Sequence, residues 1–98
     1  MNRFVLTPAA RADLQEIVDY IRQDSPEAAR RVLREIQDSM RKLSRMPQMG
    51  HLREDLCDEP LRFWQVYSYL VIYRPETRPL QILRVLHSAR DARSILAP

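Results

Sequence analysis

The sequence predicts an α+β domain of two layers, an antiparallel helical hairpin packed on a twisted, mainly antiparallel sheet. Three observations predict it. From Leu14 to Leu43 the chain carries two successive apolar stripes at helical spacing. From Leu61 the apolar period changes to two, and aromatic and β-branched residues dominate. Proline and small polar residues stand at each change of pattern. The order along the chain is β-α-α-β-β-β with a short C-terminal helix. The 98 residues suit one domain over 1–98, and a chain of this size can bury a core without staples.

Each element has a local reason. "RFVL", residues 3 to 6, is a short apolar run and reads as a strand. Thr7-Pro8 then starts a helix, with Thr as N-cap and Pro at the first helical position. Leu14, Ile17, Val18 and Ile21 fall on one face of it, and it runs to about Arg22. In "DSPEAAR", Ser25 or Asp24 caps a second helix and Pro26 opens it. Ala29, Val32, Leu33, Ile36, Met40 and Leu43 form its apolar stripe. Pro47 and Gly50 stop it, and residues 44 to 60 read as a loop with an acidic second half.

The strand half is equally legible. "LRFWQV" and "YLVIYR" flank Tyr67-Ser68 as a hairpin, and "LQILRVLH" follows the turn "PETRP". Alternation puts Leu70 and Ile72 on one face and Tyr69, Val71 and Tyr73 on the other. In the last strand it sets Leu83, Val85 and His87 against Ile82, Arg84 and Leu86. One sheet face should cover the hairpin. The other is expected to show Tyr and Arg among aliphatic residues, a surface that suits a partner. At the end, Ser88 and Asp91 fit a capping box for the short helix, which makes His87 a junction residue.

Composition narrows the function classes. The formal charge is +3, and of 16 basic residues only Lys42 is lysine. Arginine's planar fork suits carboxylate or phosphate. Arg30, Arg34, Arg41 and Arg45 lie within about 60° on the second helix, either as a solvated face or as a contact stripe for an acidic partner. A charge of +3 is well short of a strongly basic nucleic-acid arm, so direct nucleic-acid binding is not expected. One glycine is too few for a phosphate-cradling loop, and one cysteine, Cys57, cannot form an internal disulfide. No apolar run reaches about 18 residues, and the N-terminus lacks a signal-peptide core, so the expected location is the cytoplasm. No cofactor and no metal site is expected.

Five stretches together carry a resemblance: "LTPAARADLQEIVDYI", "SPEAARRVLREI", "MPQMG" after the second helix, "YLVIYRPE", and above all "ILRVLHSARD". In this order the chain resembles the ParE/RelE superfamily, toxins of bacterial type II toxin–antitoxin systems, and through its ending it is more similar to the ParE branch. The resemblance implies a RelE/ParE-like fold and a cognate antitoxin whose disordered segment folds over apolar and Arg-rich surface. It also implies a target. ParE-like toxins are associated with poisoning DNA gyrase, whereas RelE-like toxins cleave messenger RNA on the ribosome. RNA cleavage needs groups that move protons, which arginine does not do near neutral pH. Only a thin set is available here, His87 and Arg62, with Arg84 and Tyr73 as possible neighbours. The leading expectation is therefore a gyrase-binding inhibitor and not an enzyme. The alternatives are a ribosome-dependent endoribonuclease and a non-toxic remnant that retains antitoxin binding. The partner-binding candidates are Arg84, Tyr69, Tyr73, Arg90, Arg93, Arg34 and Arg41. Arg84 stands out, because a mid-strand arginine between Ile82 and Leu86 must be paired or face a partner.

Overall fold

The computed structural model describes residues 3–87 and 89–96. Strand β1 (Phe4–Leu6) leads into helices α1 (Pro8–Arg22) and α2 (Pro26–Arg45). A single 3-10 turn (Pro47–Met49) follows, then β2 (His51–Leu52), β3 (Arg62–Val66), β4 (Tyr69–Arg74), β5 (Leu80–Leu86) and α3 (Ala89–Leu96). The helix starts follow their caps. Thr7 Oγ1 accepts from Ala10 N at 3.1 Å, and Ser25 Oγ accepts from Ala28 N at 3.1 Å. The capping box Ser88–Asp91 falls outside the described residues, since Ser88 is not among them.

The five strands form one sheet in the order β1-β5-β4-β3-β2. Only β1–β5 is parallel. The segment 44–60, read from sequence as loop throughout, contributes the 3-10 turn and the two-residue edge strand β2. Two residues are too few for alternation to reveal a strand.

Both sheet faces are covered. Ile36, Met40, Leu43, Leu14 and Ala10 of the hairpin pack on Val66, Val71, Tyr73, Leu80, Ile82 and Val85. On the other face Leu56, Leu61, Phe63, Leu70, Ile72 and Leu86 pack with Ala92 of α3, and Leu83 and Leu96 border them. The alternation read in β4 holds, but its tyrosine face is the hairpin side. The opposite face, expected to be open, is closed by α3 and the Leu56 loop. That loop has no periodic apolar signal, so the sequence did not reveal its packing.

β5 departs from strict alternation. Ile72 pairs with Arg84 and Tyr73 with Ile82, so Leu83 is an extra residue, a β-bulge. The bulge puts Ile82 and Val85 into the same core and turns Leu83 and Leu86 toward the other. This corrects the expected grouping of Leu83 with Val85, because two-residue periodicity fails wherever one strand inserts a residue.

Candidate functional site

A cleft of about 490 Å³ opens where β5 outruns its parallel neighbour. β1 ends at Leu6, opposite Ile82. Thr7 then closes the pairing: its N–H donates to Ile82 O at 3.0 Å and its Oγ1 to Leu83 O at 2.7 Å. Beyond that point the outer edge of β5 faces α1 instead of a strand. Asp13, Glu16, Ile17 and Tyr20 of α1 form one wall, being neighbours at three- and four-residue spacing. Arg84 to His87 and Tyr69 make the floor, and Asp91 and Ile95 of α3 the far wall.

Asp13 organises the cleft. Its Oδ2 accepts from Arg84 Nε at 2.7 Å and its Oδ1 from Arg84 Nη2 at 2.8 Å, a bidentate fork. Oδ2 also accepts from Val85 N at 3.0 Å, taking the edge amide that no strand reaches. The side chains retain only 27% and 11% exposure for Arg84 and Asp13. The hydrogen bond to Asp13, more than the Coulomb attraction, holds the Arg84 guanidinium above its usual range despite burial. Tyr69 stacks on His87 with ring centroids 5.1 Å apart and planes 29° from parallel. Burial, with Tyr20 nearby, pushes the Tyr69 phenol up. Tyr20 and Ile95 stay largely exposed, leaving an apolar and aromatic lip. Among the described residues the lining holds the carboxylates of Asp13, Glu16 and Asp91 and one guanidinium, Arg84, which Asp13 already neutralises.

The candidate residues divide. Arg84, Tyr69 and His87 meet in this cleft. Tyr73 does not face a partner: it is fully buried, its Oη donating to Pro47 O at 2.7 Å and accepting from Gly50 N at 2.9 Å. Its place among the partner-binding candidates is corrected, because the alternation that groups it with Tyr69 aims it under the hairpin. Arg62 donates to Gly50 O at 2.7 Å and pairs with Tyr73 at the far end of β4, whereas Leu86 beside His87 pairs with Leu70 at the near end. The strand length between those ends, roughly 10 Å or more, keeps Arg62 and Tyr73 from being neighbours of His87. Arg93 is exposed, 3.9 Å from Asp55, which Arg53 holds at 2.8 Å. Arg34 and Arg41 lie exposed on α2, where Asp38 pairs with Arg41 at 2.6 Å and not with Arg34. The side chain of Arg90 lies outside the described residues.

The α1 wall was missed from sequence. Asp13, Glu16 and Tyr20 look there like an ordinary solvated face. The available signal was Arg84: a half-buried arginine demands a carboxylate, and Asp13 borders the apolar stripe of the helix packed on β5. Among the described residues no three His, Cys, Asp or Glu side chains come together to hold a metal.

Comparison with known proteins decides the family. The model of the ParE toxin of type II toxin–antitoxin systems matches residues 4–92. The chain belongs to the ParE toxin family. It is the toxin component of a type II system, which implies a cognate antitoxin as partner. The fold is also similar to a solved structure described as a chromosomal ParDE TA system from P. aeruginosa. That match has a TM-score of 0.71 and 25% identity, and covers 90% of this ParE chain and 97% of the other. A search of curated proteins found no match. The matched span takes in every strand, the α1 wall and Asp91, so all of the cleft except Ile95 lies inside it.

Proposed function

We propose that this ParE toxin inhibits growth by binding and poisoning DNA gyrase in the cytoplasm, and that its antitoxin neutralises it. One observation carries the choice of a protein target over RNA. In the cleft that collects Arg84, Tyr69 and His87, the guanidinium of Arg84 is already neutralised by the bidentate fork of Asp13, so among the described residues no arginine is left to hold a scissile phosphate. The proton-transfer set read from sequence is divided between the two ends of the sheet, so His87 has no Arg62 beside it. A cleft with an aromatic lip, a rigid floor and a desolvated Arg84 is instead the kind of surface that anchors a protein partner.

The test is gyrase supercoiling with purified toxin, alone and with the antitoxin encoded beside it. Dose-dependent loss of supercoiling, restored by the antitoxin, is expected. Untouched supercoiling at large excess, or transcripts cut on the ribosome in expressing cells, would overturn the proposal. In the second case His87→Ala is the variant to assay first.

A further inference from the structure

The net charge of the chain is small, but it is not spread evenly. Helix α2 holds six basic residues and three acidic ones, a surplus equal to the formal +3 of the whole chain. Four of the six, Arg30, Arg34, Arg41 and Arg45, project from one side, opposite the buried Ala29, Ile36, Met40 and Leu43. They span about 22 Å of straight helix. Glu27 and Asp38 flank them, and Asp38 is taken by Arg41 at 2.6 Å. Arg30, Arg34 and Arg45 form no ion pair among the described residues, and all three are exposed. α2 itself exposes no large apolar side chain among those residues; the exposed Tyr67 reaches Glu35, which lies on the wheel away from the arginine row, and the exposed Met46 follows the helix only at its end.

From this we infer that the outer face of α2 is a docking surface for the phosphates of duplex DNA. Along the arginine row itself, from Arg30 to Arg45, no apolar anchor is exposed, which argues against an acidic protein segment, because protein interfaces draw their energy from a few buried aromatic, aliphatic and arginine anchors. Phosphate contacts need no such core and depend on charge alone. A rigid row of guanidinium groups also matches a rigid polymer carrying one charge per roughly 1.7 Å of axis. The face is separate from the cleft, which no α2 residue among those described lines, so the toxin can hold a protein partner on one surface and DNA on another. The choice of duplex DNA over RNA rests on the gyrase reading above.

The experiment titrates a fluorescein-labelled DNA duplex of about 20 base pairs with the purified full chain, read by anisotropy between 50 and 200 mM NaCl. Three neutralised phosphates predict a log–log salt slope of about −2.7, hence affinity about 40-fold weaker at the higher salt. The triple variant Arg30→Ala, Arg34→Ala, Arg45→Ala is expected to lose most of that slope. The corresponding triple Lys variant should keep it, since counterion release depends on charge. No binding at 50 mM salt overturns the inference, as does an unchanged slope in the triple Ala variant. Equal or tighter binding of an RNA duplex or of polyglutamate overturns it too. Supercoiling assays on the same preparations test the gyrase reading separately: DNA binding can fail while gyrase inhibition persists, and the reverse.

Discussion

Tyr73 and Gly50 meet at the end of β4 far from the cleft. A Cβ at position 50 would overlap Tyr73 Oη and sit 2.9 Å from its Cε1, which explains why the chain's single glycine stands there. Gly50→Ala is expected to cost about 1–3 kcal/mol through overpacking. Tyr73→Phe keeps the ring but strands Gly50 N–H and Pro47 C=O, again about 1–3 kcal/mol in urea denaturation. The same residue sets a pH dependence. Burial raises its phenol above the ordinary 10.0. Below pH 10 the phenol is neutral folded or unfolded, and its contribution is fully present. As pH rises past 10 the unfolded phenol ionises first, so stability falls until the folded value is passed. Denaturation midpoints measured above pH 10 should fall less steeply in Tyr73→Phe. An equal fall would assign the effect to other tyrosines, Tyr69 first.

Asp13 is the second residue whose role only its contacts reveal. Asp13→Ala removes three accepted hydrogen bonds and leaves Arg84 half-buried without its partner, at about 2–3 kcal/mol. Asp13→Ala combined with Arg84→Ala should cost less than the two single losses together. A double-mutant cycle measures this, and strict additivity would show that the fork contributes nothing.

Between elements, the two helix starts look alike in sequence but carry different structural duties. Thr7 and Ser25 both cap, and both precede proline. Only Thr7 also ties its helix to β5, through its N–H to Ile82 O and its Oγ1 to Leu83 O. Thr7→Ala should therefore cost about 2 kcal/mol and Ser25→Ala about 1 kcal/mol, a ranking that thermal denaturation checks directly. The turn between β3 and β4 shows the limit of reading a hairpin by its length. Tyr67 takes the left-handed conformation, φ 55°, where glycine or asparagine is usual. Tyr67→Gly removes the steric penalty of that backbone and is expected to raise stability by about 1 kcal/mol.

Across the whole molecule, protection should follow sheet position. β4 lies at the centre with two antiparallel neighbours, and its Val71, Ile72 and Tyr73 are fully buried. Hydrogen exchange is expected to be slowest at these residues and at Ile82, and fastest in the exposed edge strand β2. If β2 exchanged as slowly as β4, the sheet would open as one cooperative unit and not from its edge.

The sequence by itself determined the family, the helix limits set by Thr7, Pro8, Ser25 and Pro26, and the hairpin of β3 and β4. These depend on caps, periodicity and turns, which act over a few residues. Only the tertiary structure decided which tyrosine is buried and which is available, that Leu83 breaks the alternation of β5, and that Asp13 holds Arg84 from 71 positions away. It also decided that the surplus of positive charge lies along one helix, away from the cleft. Each of these depends on where one element ends against another. Local spacing carries no record of that, because contacts between distant segments are selected by packing and charge compensation across the folded chain.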